Sequence, residues 1–104
     1  MIHIESATEN IKSATAEDYK SWREADRLCN TVAGNEKLVQ LIKNWRKAAH
    51  LCSSEELVRI FKNCREAANE MHMKYNPVKA RFYEDLEWIF TDEYLGRKHE
   101  QLQL

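Results

Sequence analysis

A chain of 104 residues that is 43% hydrophobic and 32% charged, with a formal net charge of −1, has the size and composition of one globular domain. Two glycines and one proline are too few for the turns of an all-β domain, and no apolar run approaches the roughly eighteen residues of a membrane span. The three cysteines form neither a C-x-x-C pair nor an even disulfide framework, and Met1-Ile2-His3-Ile4-Glu5 lacks the basic and apolar regions of a secretory signal. A reducing, cytoplasmic setting is therefore expected.

Residues 1–14 are polar and weakly patterned, although Ser6-Ala7-Thr8-Glu9 has the spacing of a capping box and allows a short extra N-terminal helix. Thr15, with Asp18 three residues on, is the first strong start. The helix is expected to run to Ala33 and to stop at Gly34 in a left-handed conformation. It carries Trp22, Ala25, Cys29, Val32 and Ala33 on its apolar stripe, with Asp26 projecting among them. Asn35 is expected to cap a second helix, whose Leu38, Leu41, Ile42, Trp45, Ala48, Ala49 and Cys52 fall within about 120° of arc. Ser53 and Glu56 make a capping box for a third, with Leu57, Ile60, Phe61, Cys64, Ala68, Met71 and Tyr75 within about 100°. Asn76-Pro77 ends that helix, because the residue before proline is pushed out of the helical region. The same pair starts a fourth, since proline suits the first helical position. Its core positions are Val78, Phe82, Leu86, Ile89 and Phe90. Gly96 is expected to stop it, leaving residues 97–104 as a frayed tail. Four amphipathic helices with short links predict an all-α, antiparallel four-helix bundle in a single domain.

Catalytic chemistry finds few residues to work with. Cys29, Cys52 and Cys64 each fall on an apolar stripe, where a thiol reads as a small buried hydrophobe. His3, His50, His72 and His99 form no H-E-x-x-H or H-x-x-x-H motif, and Met71-His72-Met73 cannot converge on a metal because alternate residues of a helix point to different sides. Asp26 reads first as a boundary carboxylate held by a structural ion pair, with a buried acid of raised pKa as the sharper alternative. No phosphate loop, dinucleotide fingerprint, nucleophile elbow or zinc-hydrolase motif occurs. Neither an enzyme nor a cofactor is expected.

Two surface features remain. Charge is segregated: residues 1–36 carry a net −3, residues 37–81 a net +6 and residues 82–104 a net −4. Lys43, Arg46, Lys47 and His50 share a face of the second helix, and Arg59, Lys62 and Arg65 on the third can extend it. Such a face either pairs with the acidic helices or meets phosphate backbone. The fourth helix, in turn, carries more apolar surface than one core stripe needs. Trp88 and Leu95, seven apart, point away from Phe82, Leu86 and Ile89, while Tyr83 and Tyr94 widen the other flank. Either the leading segment with Ile2, Ile4 and Ile11 covers that surface, or it is a partner or homodimer interface with Trp88 at its centre. The expected function is a protein-binding adaptor, regulator or inhibitor, acting through Trp88, Leu95, Tyr83, Tyr94, Arg81 and Glu84. The alternative is a nucleic-acid-binding domain using the basic face.

Overall fold

The computed structural model describes residues 18–28 and 30–103, and among them contains four helices and no strand. We label these α1 (residues 18–27), α2 (Val32–Leu51), α3 (Ser54–Met73) and α4 (Pro77–Gln103). The all-α, bundle-like architecture is as expected. Among the described residues no helix is long and apolar enough to cross a membrane. The leading segment, the Thr15 start and Cys29 lie outside the described residues.

The α1–α2 boundary differs from the sequence expectation. The first helix ends at residue 27, and Thr31, not Asn35, caps α2 by accepting a hydrogen bond from the Gly34 amide at 3.1 Å. The Thr31 amide and hydroxyl both donate to the Leu28 carbonyl, at 2.8 and 2.7 Å. Gly34 is neither left-handed nor a stop; it lies in the first turn of α2. Its missing side chain lets the Leu28 carbonyl approach, since a Cβ there would sit 2.0 Å from that oxygen. The early break also takes Val32 and Ala33 off the α1 stripe, and both are exposed.

Later caps follow the sequence. The Ser53 hydroxyl accepts from the Glu56 amide at 3.1 Å, so α2 and α3 are joined by Cys52 and Ser53 alone. At the other end of α3 the Asn76 amide reaches the Met71 carbonyl at 2.8 Å and the Tyr75 amide the His72 carbonyl at 3.1 Å. This is the paired termination usually built around a glycine. Here Tyr75 takes the left-handed position, with φ of 56°, and is therefore 93% exposed, not part of the α3 core stripe. Asn76 then caps α4 through Oδ1, which accepts from the Lys79 amide.

α4 is the centre of the fold. It runs antiparallel to α3, since Phe61 meets Tyr94, Arg65 meets Glu87 and His72 meets Glu84. It runs in the same sense as α2, as Trp45 meets Phe82, Arg46 meets Trp88 and His50 meets Glu93. Phe82, 1% exposed, is ringed by Tyr19, Trp22, Trp45 and Tyr83 at centroid distances of 5.3 to 5.8 Å. Leu57, Ile60, Cys64, Leu86, Ile89 and Phe90 complete the core, whereas Val78 at the start of α4 stays exposed.

Nor does α4 stop at Gly96. It continues to Gln103 because Arg97 ties its far half to the end of α2. One Arg97 nitrogen donates to the Ala49 and His50 carbonyls, at 3.4 and 3.1 Å, another to the Ser54 hydroxyl, and Nε to Glu93. Carbonyls left without partners at a helix C-terminus favour such a cation.

Candidate functional site

All three tryptophans of the chain converge. Trp22 from α1, Trp45 from α2 and Trp88 from α4 line one slot of about 200 Å³, together with Leu38, Ile42, Ile89 and Asp85. The helical repeat explains the gathering on α2, where Leu38, Ile42 and Trp45 recur at spacings of three and four on one face. On α4, Asp85, Trp88 and Ile89 do the same. Trp22 and Trp45 are buried and form the inner wall, whereas Trp88 is 58% exposed and stands at the mouth.

Among the described residues that line the slot the one charged side chain is Asp85, whose Oδ2 accepts a hydrogen bond from Trp22 Nε1 at 3.0 Å. Burial lifts the Asp85 carboxyl above its ordinary value. The Trp22 hydrogen bond and nearby Arg81 oppose that rise, while Asp26 and Glu84 add to it. Asp26, singled out in the sequence as an acid on an apolar stripe, is half-buried and takes its place in this carboxylate neighbourhood. The Arg46 guanidinium, outside the slot lining, lies over the Trp88 ring, 5.8 Å from its centroid. The slot thus has an aromatic wall and a carboxylate within it, and its exposed tryptophan carries a cation.

The residues expected to bind a protein separate into two groups. Trp88 and Leu95 are both more than half exposed on the outer side of α4, and Leu102, seven residues further on, prolongs the row. Arg81 is exposed near the same side. Tyr83, Tyr94 and Glu84 face α3 or the core: Tyr83 lies against Phe82, Tyr94 against Phe61, and Glu84 contacts His72 Nε2 at 2.6 Å. Of the seven residues of the basic face, Arg46 covers Trp88, His50 contacts Glu93 and Arg65 pairs with Glu87 at 3.0 Å. Lys43, Lys47, Arg59 and Lys62 are exposed and make no ion pair among the described residues.

The sequence reading placed Trp22 and Trp45 on core stripes and did not single out Asp85. The available signal was that each tryptophan occupies a different helix and that Asp85 precedes Trp88 by three residues. A second cleft, about 520 Å³, lies between the start of α3 and the end of α4 beside Arg59, Arg97 and Lys98. Its central cation, Arg97, is already committed to Glu93 and the α2 carbonyls, and Glu55 opposes anions there.

Cys52 and Cys64 are buried. Burial, reinforced by Glu56, pushes the Cys52 thiol up to about 11; burial, reinforced by Glu87, pushes Cys64 up to about 12. Both are neutral thiols at physiological pH, unsuited to nucleophilic attack. Among the described residues no three histidines, cysteines or carboxylates stand close enough together to hold a metal ion. Comparison with known proteins returns no significant match among family models, curated proteins or solved structures.

Proposed function

We propose that this domain is a non-enzymatic protein-binding module, an adaptor, regulator or inhibitor, that docks its partner on the α2–α4 face around Trp88. The observation that carries this reading is the 58% exposure of Trp88 at the mouth of a slot walled by two buried tryptophans. A tryptophan held beside a preformed apolar recess is the kind of residue that dominates interface energetics, and Leu95 and Leu102 extend the apolar row. The test compares the native chain with Trp88→Ala and Leu95→Ala in affinity capture, followed by binding isotherms on whatever protein the native chain retains. Trp88→Ala should weaken that complex by about 2 kcal/mol or more, roughly thirtyfold, with the helical signal intact. Equal affinity of the native and Trp88→Ala chains would overturn the reading.

One observation supports a second reading. Lys43, Lys47, Arg59 and Lys62 carry charge that no described carboxylate neutralises, as a phosphate-backbone surface requires. Anisotropy titrations with labelled DNA and RNA at about 50 and 200 mM salt decide it. Steeply salt-dependent binding that Lys43→Glu and Lys47→Glu abolish would move the function to this face, and absence of binding at the lower salt would retire it.

A further inference from the structure

We infer that the three-tryptophan slot is a cation site, and that its ligand is an ammonium group bearing alkyl substituents, as on a methylated lysine side chain or a quaternary ammonium compound. The inference deepens the docking reading and rests on it in one respect, that the slot is the recess the partner enters.

Four observations bear on the chemistry. An indole has the best cation-attracting face of the side chains, and the slot is lined by three tryptophans from three helices, Trp88 exposed and Trp22 and Trp45 buried. Second, one of the three indoles already attracts a cation: the Arg46 guanidinium, itself outside the slot lining, lies over Trp88. Third, the single charged lining residue is an acid. Asp85 accepts from Trp22 Nε1 and has lone pairs left for a cation, with Asp26 and Glu84 adding negative potential behind it. An anionic ligand would meet this carboxylate, and a neutral apolar one would bury it further with only Arg81 nearby as counter-charge.

The fourth observation is size and polarity. At about 200 Å³ the slot exceeds the roughly 150 Å³ apolar cavity that takes benzene. Its remaining lining, Leu38, Ile42 and Ile89, offers no hydrogen-bond acceptor from a side chain. A bare lysine ammonium, compact and strongly hydrated with three donors to satisfy, would exchange its water there for the Asp85 carboxylate alone, leaving donors against apolar lining. Alkyl substituents remove the donors, spread the charge and present apolar surface to the indole faces. The slot therefore selects alkylated ammonium over the unmodified group.

The experiment uses the full chain and its own tryptophans as reporters. Choline and its neutral isostere, in which carbon replaces the nitrogen, are titrated at constant chloride while tryptophan emission is read. The same titration is repeated with the amide-capped amino acids lysine and trimethyl-lysine. Choline and capped trimethyl-lysine should give saturable changes, with the neutral isostere and capped lysine about tenfold weaker or more. Asp85→Asn should lower the choline affinity about tenfold without changing that of the isostere, and Trp88→Leu should abolish both. Tighter binding of capped trimethyl-lysine than of choline assigns the ligand to a modified side chain; the reverse order assigns it to a free quaternary ammonium compound. If the isostere binds as tightly as choline, the slot is an apolar recess: the cation inference falls and the docking reading stands. If neither binds, the cation inference falls, and the Trp88→Ala isotherms decide the docking reading on their own.

Discussion

The two glycines of this chain should respond in opposite directions to the same substitution. In an exposed helix interior alanine is favoured over glycine by about 1 kcal/mol, because glycine loses more backbone freedom on folding. Gly96 is such a site: it is helical, and a Cβ there would find nothing within 4 Å. Gly96→Ala should stabilise the domain by about 1 kcal/mol and raise Tm by about 4–8 °C. Gly34 has the same helical backbone, but a Cβ would lie 2.0 Å from the Leu28 carbonyl oxygen and 2.4 Å from its carbon. Backbone must move to admit it. The movement strains or breaks the two hydrogen bonds from Thr31 to that carbonyl, each contributing about 1 kcal/mol, against the same propensity gain. With overpacking of about 1–3 kcal/mol added, Gly34→Ala should destabilise by about 2–4 kcal/mol. Urea and thermal unfolding followed by circular dichroism would measure both variants. A stabilised Gly34→Ala chain would refute the close approach of Leu28 and, with it, the placement of α1 against α2.

Three further outcomes follow from the geometry. Arg97→Ala should cost about 2 kcal/mol in urea unfolding, because it removes charged hydrogen bonds to the α2 carbonyls, and hydrogen exchange should quicken beyond Gly96. Tyr75→Gly should stabilise by about 0.5–1 kcal/mol, since the left-handed conformation costs tyrosine and not glycine. Asp85→Asn should stabilise the domain at neutral pH. Because the folded Asp85 pKa is raised, stability present below about pH 4 is lost as pH rises through the folded value; the amide abolishes that loss, so native and variant unfolding curves should converge at low pH.

What was legible in the sequence was local. Ser53 with Glu56, and Asn76 before Pro77, define helix ends through bonds within one turn, and the structure has both. The α1–α2 boundary was not legible because two candidate caps, Thr31 and Asn35, stand four residues apart with Gly34 between them. The choice is made by the Leu28 carbonyl packing over Gly34, a contact that no periodicity encodes. Gly96 misled for a related reason: it has the propensity of a stop, but Tyr94 before it packs on Phe61 of α3 and Arg97 after it bonds the end of α2. Trp88 was legible as surplus apolar surface on α4. The slot beside it was not, since a gap between three helices depends on where their axes lie.

The arrangement around α4 also accounts for the charge segregation. Some of the basic middle third is consumed internally, with Arg65 on Glu87 and His50 against Glu93, so part of the pattern only holds the bundle together. Arg46 and Asp85 are different. They come from different helices, Arg46 lying over Trp88 and Asp85 accepting from Trp22, and they do not pair with each other. A carboxylate whose burial disfavours its charged form contributes nothing to folding that an asparagine could not supply through the same Trp22 hydrogen bond. Groups whose environment opposes their charge concentrate at functional sites, which is the sense in which Asp85 supports the proposed cation site. Under that proposal Trp88 would supply affinity for any apolar group, whereas Asp85 would make the preference a cationic one, so the choline and isostere titrations of Asp85→Asn and Trp88→Leu separate the two roles.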